Sequence, residues 1–339
     1  MDPVRTQILI LSDTHGEPLP PCRQPRCRPD LVLHCGDLTH ESKLHELRTT
    51  LDLLKTLDAP LTLVVAGNHD FTLDEPMFRR KILEAGLAGE PDLVAREYGR
   101  YGEARQLFDA ARESHNIHLL DEGTHRFTLA NGAAVSVYAS PFTTSPEADW
   151  GFQFGPADGH AFAIEEGTDI VLTHSPPAGM LDRSPEHGML GIPGLFQAVA
   201  RARPRLHCFG HVHNGWGAKL AAWREPVSYS TTQLIQHRNQ RKQPLSHFTA
   251  FDNGRSQALD RLWNVQPLAT DNAEQAAAKA SRLAQYEANG CVRATSHCSD
   301  DSHPLVPGQH TLFVNASIMG GRTMPFQLPW LVEMELPEA

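Results

Sequence analysis

Five short apolar runs organise this chain, and each passes directly into a cluster of Gly, Asp, Asn or His. They are Ile8–Leu11 before Ser12-Asp13-Thr14-His15-Gly16, Leu31–Leu33 before Gly36-Asp37, and Leu61–Val65 before Gly67-Asn68-His69-Asp70. Ile170–Leu172 precedes Thr173-His174-Ser175-Pro176, and Leu206–Phe209 precedes Gly210-His211-Val212-His213. Rich in Val, Leu and Ile and without clean alternation, the runs read as strands buried on both faces. Between them, Leu44, Leu47, Leu51 and Leu54 line one face of a predicted helix over Leu44–Leu57. Strands alternating with helices imply an α/β sheet, and in such sheets the carboxyl ends of neighbouring strands share one edge. That edge gathers the five polar clusters.

Other segments fit the core less directly. Residues 74–115 are charged, with predicted helices over Met77–Leu87 and Gly102–Arg112, and read as a helical excursion. Residues 221–308 are rich in Gln, Ala, Ser and Asn, with a predicted helix over Ala273–Asn289 and a basic run, Arg238–Lys242, read as solvated surface. Strand character returns in Leu312–Val314 and Trp330–Glu335.

The formal net charge of −10 argues against general nucleic-acid binding, which depends on a basic surface displacing counterions. Ile8–Leu11 is too short for a signal-peptide core or a membrane span, so no membrane partner and a cytoplasmic location are expected. Six cysteines do not make a disulfide framework, and Cys22/Cys27 and Cys291/Cys298 lack structural-zinc spacing, so free thiols are expected. The sequence sets no oligomeric state.

Nineteen histidines change the picture, because neutral imidazole is a good transition-metal ligand. Taken singly, each cluster has a plain reading as a cap or a turn. Together they offer Asp13, His15, Asp37, Asn68, His174, His211 and His213: two carboxylates, an amide oxygen and four imidazoles. This donor mixture suits Mn, Fe, Zn or Co better than Ca or Mg, which prefer oxygen shells. Seven ligands exceed one tetrahedral ion but suit two ions sharing a carboxylate.

The series D-x-H, G-D, G-N-H-D, lone H and G-H-x-H, running here from Asp13 to His213, resembles the signature of the calcineurin-like metallophosphoesterase superfamily. A narrower likeness, to the metallophosphoesterase-domain-containing subgroup, rests on Asn68–Asp74, Trp150-Gly151-Phe152, Thr173–Pro177, Arg203–His207 and Phe313–Ser317. The resemblance implies an α/β (α+β) fold: a four-layer αββα sandwich of two mixed β-sheets flanked by helices. It also implies one domain over residues 1–339, with residues 221–308 as an insertion and 309–337 returning to the core sheet. Asn315-Ala316-Ser317 has the form of a glycosylation acceptor, which a cytoplasmic chain would not use.

By the same resemblance Asp13, His15, Asp37 and His213 would hold one divalent or trivalent ion, and Asp37, Asn68, His174 and His211 the other. Such a pair activates water for in-line attack on phosphorus. His69 would be a catalytic group, bonding the phosphoryl oxygen or protonating the leaving alkoxide. The family often has an acid three positions after the bridging aspartate. Here that position is His40, which leaves Glu41 or Asp70 to orient His69, and Asp70 is taken as a second catalytic group. The leading functional expectation is hydrolysis of a small phosphodiester or phosphomonoester, with nucleotides favoured. The alternatives are a protein serine/threonine phosphatase and a catalytically weak nucleotide-binding or scaffold protein. Discrimination among substrates would lie in the loops Phe71–Phe78, Pro141–Phe154 and Pro176–Leu190. In the last of these, Arg183 and His187 are either ligand contacts or solvated loop residues.

Overall fold

The computed structural model describes residues 3–224, 246–294, 297–301, 303–321 and 324–339. The basic run Arg238–Lys242 lies outside the described residues. Two mixed sheets form the core. The first has the order Val292–Arg293, Trp330–Leu336, Val4–Leu11, Leu31–His34, Thr62–Val64, Ile117–Leu119. Val4–Leu11 runs parallel to Leu31–His34 and antiparallel to Trp330–Leu336. The second has the order Gln257–Arg261, Gly217–Ala222, His310–Asn315, Leu206–Phe209, Ile170–Thr173, Ala134–Ser140, Gly123–Thr128.

Buried apolar side chains divide into the faces of these sheets. Ile8, Ile10, Leu31 and Leu33 from the first sheet meet Val137, Ile170, Leu206 and Val314 from the second. On the first sheet's outer face, Leu9, Leu11, Val32 and Val64 pack against Leu44, Leu47, Leu51 and Leu54 of the helix Leu44–Thr56 and Phe108 of Glu103–His115. Burying each such leucine contributes on the order of 2 kcal/mol. On the second sheet's outer face, Val171, Phe209 and Phe313 pack against Leu195, Phe196 and Val199 of the helix Pro193–Ala202. The order is therefore helix, sheet, sheet, helix. The continuously apolar runs follow from it, since each central strand is covered on both sides.

Within 74–115 the first helix is Glu75–Glu84, capped by the Asp74 side chain on the Met77 amide and followed by Gly86 at φ 69°. This left-handed glycine ends it short of Leu87. The second runs over Glu103–His115, and a further helix, Pro91–Tyr98, begins on a proline. Ala134–Ser140, not anticipated, is a strand whose Val135, Val137 and Ala139 face the intersheet core while Tyr138 faces outward. Residues 257–261 extend the second sheet, and Ala273–Asn289 leads to Val292–Arg293 at the edge of the first. No disulfide links the six cysteines among the described residues. No helix among the described residues is long and apolar enough to cross a membrane.

Candidate metal centre

Each polar cluster sits where a buried strand ends, and the backbone there turns sharply. Asp13, His15, Asp37 and His211 have φ of 56°, 47°, 52° and 67°. Non-glycine residues in the left-handed region carry strain that persists where surrounding structure imposes it, often at functional sites. Two glycines allow the turns to approach one another. A Cβ on Gly67 would collide with Asp37 Oδ1, and one on Gly210 would collide with Asp13 Oδ2.

Three groups of ligand-type atoms result among the described residues, two of them Asp13 with His15 and His213, and Asp37 with His174 and His211, and the third His15 with His40 and His69, the atoms within each group lying within 4.8 Å of one another. In the first, His213 Nε2 is 3.3 Å from Asp13 Oδ1 and 3.4 Å from His15 Nε2. In the second, His174 Nε2 is 3.3 Å from Asp37 Oδ1 and 3.1 Å from Asn68 Oδ1. Asp37 faces both groups, since its Oδ2 is 3.9 Å from His15 Nε2. The seven residues expected as ligands thus converge on one place.

Hydrogen bonds behind the cluster fix the imidazoles. His15 Nδ1 lies 3.0 Å from the Thr39 carbonyl and His174 Nδ1 lies 2.8 Å from that of Cys35. A carbonyl only accepts, so each Nδ1 carries the proton and each Nε2 offers a lone pair to the cluster. Asp13 accepts from the His211 amide at 3.0 Å and from Ser317 Oγ at 2.8 Å. Asn315 Nδ2 donates to the carbonyls of Val212 at 3.0 Å and Leu181 at 3.1 Å, holding the loop between the two histidines. Neither Asn315 nor Ser317 was assigned a role from sequence, although their segment carried the subgroup likeness. Asn315 is fully buried, which itself rules out glycosylation of the folded chain there.

The electrostatics favour cations. Burial opposes the ionisation of Asp37, but the charge and hydrogen bond of His174 outweigh it and hold the carboxyl well below its usual range. Burial likewise opposes charge on His174, yet Asp37 raises it to about 9. The buried carboxylates hold positive charge beside them, here a proton on His174, and a metal ion that displaces that proton would find a fitting donor set of carboxylates and ring nitrogens.

His69 stands beside the cluster. Its Nδ1 lies 2.6 Å from the His40 carbonyl, and its ring packs against Trp150 at 4.5 Å and edge-on to His15 at 4.9 Å between centroids. The expectation that Glu41 or Asp70 orients His69 is corrected here. A backbone carbonyl does so, while Glu41 pairs with Lys43 at 2.5 Å. Asp70 is fully buried and accepts from the amides of Leu38, Thr39 and Gly67 at 3.1, 3.0 and 2.8 Å and from Thr39 Oγ1 at 2.7 Å. Its carboxylate ties the Asp37 loop to the Asn68 turn, and the four donors come from this scaffold. Gly151 N bonds the Asn68 carbonyl at 3.0 Å, so the Trp150-Gly151-Phe152 loop also grips this turn. Of the loop residues raised as contacts, His187 is exposed beside Glu186, and Arg183 lines a neighbouring cleft.

A match to the calcineurin-like phosphoesterase family spans residues 6–215, from the first strand through the His211–His213 pair. The chain belongs to this family. It is 30% identical over 224 residues to human metallophosphoesterase domain-containing protein 1, covering 63% of each chain. It is also 28% identical over 221 residues to a probable rhamnogalacturonate lyase C of Emericella nidulans, covering 64% of this chain and 18% of that protein. The chain thus spans less than two thirds of these relatives. A Thermus thermophilus protein of known structure, TT1561, is similar at 12% identity, with a TM-score of 0.38 over 60% of this chain and 81% of that one.

Proposed function

We propose that this chain hydrolyses small phosphoesters, with nucleotide-type substrates favoured, at a centre of two metal ions held by the seven converging residues. The observation that carries the reading is the position of Asp37, with one carboxylate oxygen toward His174 and the other toward His15. When bound, the ions would supply phosphate-oxygen polarisation and water activation. The protein's own groups set the geometry. Asp37 stands between the two ligand groups, and the carbonyls of Thr39 and Cys35 keep His15 and His174 in the ligating tautomer. With His69 Nδ1–H bonded to the His40 carbonyl, protonation places the second proton on Nε2, from which it passes to the departing oxygen. A cytoplasmic setting belongs to the same proposal, and cysteines that form no disulfide among the described residues are compatible with it.

The test is turnover of bis(p-nitrophenyl) phosphate with Mn²⁺, with metal content measured on the same sample. Turnover is expected. A metal-loaded but inert protein would instead mark a binding or scaffold role. A screen of cyclic nucleotides, nucleoside monophosphates, sugar phosphates and a phosphopeptide then separates small-molecule from protein phosphoesters.

A further inference from the structure

Beside the candidate metal centre lies a second concavity of about 540 Å³, walled by the loop after Gly179, by Asn214–Trp216 and by residues 261–266. Its chemistry is unlike that of the centre. Arg183, Lys219 and Arg261 line it, and none of them makes an ion pair among the described residues. Arg261 Nε is buried without a hydrogen-bond partner among the described residues, and Lys219 is half-buried close to Arg261. Burial, and then the Arg261 charge, push the Lys219 ammonium below its usual range. The carboxylate in this wall, Asp182, forms no ion pair with them among the described residues. It is buried and accepts from the amides of Gly179 and Gly191 at 2.7 and 3.2 Å. Like charges gathered in a cleft with no ion-pair partner among the described residues cost energy that a bound anion relieves.

The same wall carries an aromatic face. Trp263 is 58% exposed, and the Arg261 guanidinium lies 5.0 Å from its ring centroid. A cation stacked on an exposed indole is a surface on which a planar aromatic group can lie. The strand Gly217–Ala222 pairs with Gln257–Arg261 through an irregularity between Ala218 and Lys219, and bulges re-aim side chains at sites. Lys219, Arg261 and Trp263 lie beyond the family match at residues 6–215, whereas the opposite wall, Gly179 to Met189, lies within it.

Cleft and centre share a wall. Asn214 lines the cleft and directly follows His213, and Asn315 Nδ2 bonds both Leu181 of the cleft loop and Val212 of the histidine loop. We propose that this cleft binds an aromatic group that carries an anion: the base of a nucleotide substrate together with a phosphate other than the one at the metals. Calling the bound group part of a substrate rests on the hydrolytic reading above. The binding site itself does not.

The experiment is calorimetric titration of the full chain, supplemented with Mn²⁺, by adenosine 5′-(β-thio)diphosphate, with adenosine and pyrophosphate as single-feature probes. The wild type should bind the thiodiphosphate more tightly than either probe. Lys219→Met with Arg261→Met, and separately Trp263→Ala, should each weaken that binding by about tenfold or more. Trp263→Ala alters an exposed side chain, and unchanged thermal unfolding keeps its result interpretable. Binding that is absent in the wild type, or equal in wild type and variants, overturns the proposal. Turnover of bis(p-nitrophenyl) phosphate by the unaltered protein tests the hydrolytic reading separately. Turnover with variant-insensitive binding defeats the cleft alone, and variant-sensitive binding without turnover supports the cleft and defeats the hydrolytic reading.

Discussion

Ser317 Oγ donates to Asp13 Oδ2 at 2.8 Å across 304 residues of chain, joining the last segment of the protein to the first expected metal ligand. The His211 amide also donates to Asp13, so the hydroxyl and that amide help to fix the carboxylate that faces His213. Removing a hydrogen bond of this outer kind commonly costs 10- to 100-fold in metal affinity. Ser317→Ala is therefore expected to keep the fold and weaken Mn²⁺ binding by about tenfold, measured by competition with a chelator. Equal affinity in the two proteins would show that the His211 amide suffices.

Ligand and proton donor separate in a paired substitution. Asp37 faces both ligand groups, whereas His69 contributes its amide to Asp37 Oδ1 at 2.9 Å and turns its ring toward His40 and Trp150. Asp37→Asn should lose both metal occupancy and activity. His69→Ala keeps the backbone amide, so it should retain metal while activity falls by about 10²–10⁴. Metal analysis beside turnover checks this, and equal metal loss in both variants would refute the division of roles.

Asp70 is expected to reveal itself through stability. Four donors converge on its buried carboxylate. In Asp70→Asn one oxygen becomes an NH₂ group facing N–H or O–H donors, leaving unsatisfied buried groups that each cost about 1–3 kcal/mol. Urea unfolding should show a loss of roughly 3 kcal/mol or more, with metal affinity reduced as the Asp37 and Asn68 loops drift apart. A variant as stable as the wild type but inactive would return Asp70 to a catalytic role.

The strands that lead to the centre were legible because burial on both faces leaves an uninterrupted apolar run, and a polar cluster directly after one stands out. Ala134–Ser140 and Gly217–Ala222 were less so. Small residues such as Ala and Gly carry little β-propensity, and their place in the second sheet is set by neighbours distant in sequence. The ligand-type residues could be read because each belongs to a short local motif. The His40 carbonyl beneath His69 and the Ser317 hydroxyl beside Asp13 could not. A backbone carbonyl is present at every residue, and a serine acquires its role only when the fold brings it across the sheet.

Acid sensitivity should arise away from the centre, at His207. This side chain is fully buried in the strand Leu206–Phe209, with Nε2 2.9 Å from Thr173 Oγ1 and no partner for Nδ1 among the described residues. Burial pushes its pKa down to about 3. The unfolded chain, with an ordinary histidine near 6.5, takes up a proton first as pH falls, so acid favours unfolding. The contribution to stability is complete above pH 6.5 and is progressively lost as pH falls toward 3. Between pH 7 and pH 5 the loss is about 2 kcal/mol. His207→Gln keeps a polar group for Thr173 and cannot titrate. Urea unfolding at the two pH values should therefore show a drop about 2 kcal/mol smaller in the variant than in the wild type. Equal drops would mean that burial does not lower the proton affinity of His207 in the folded state.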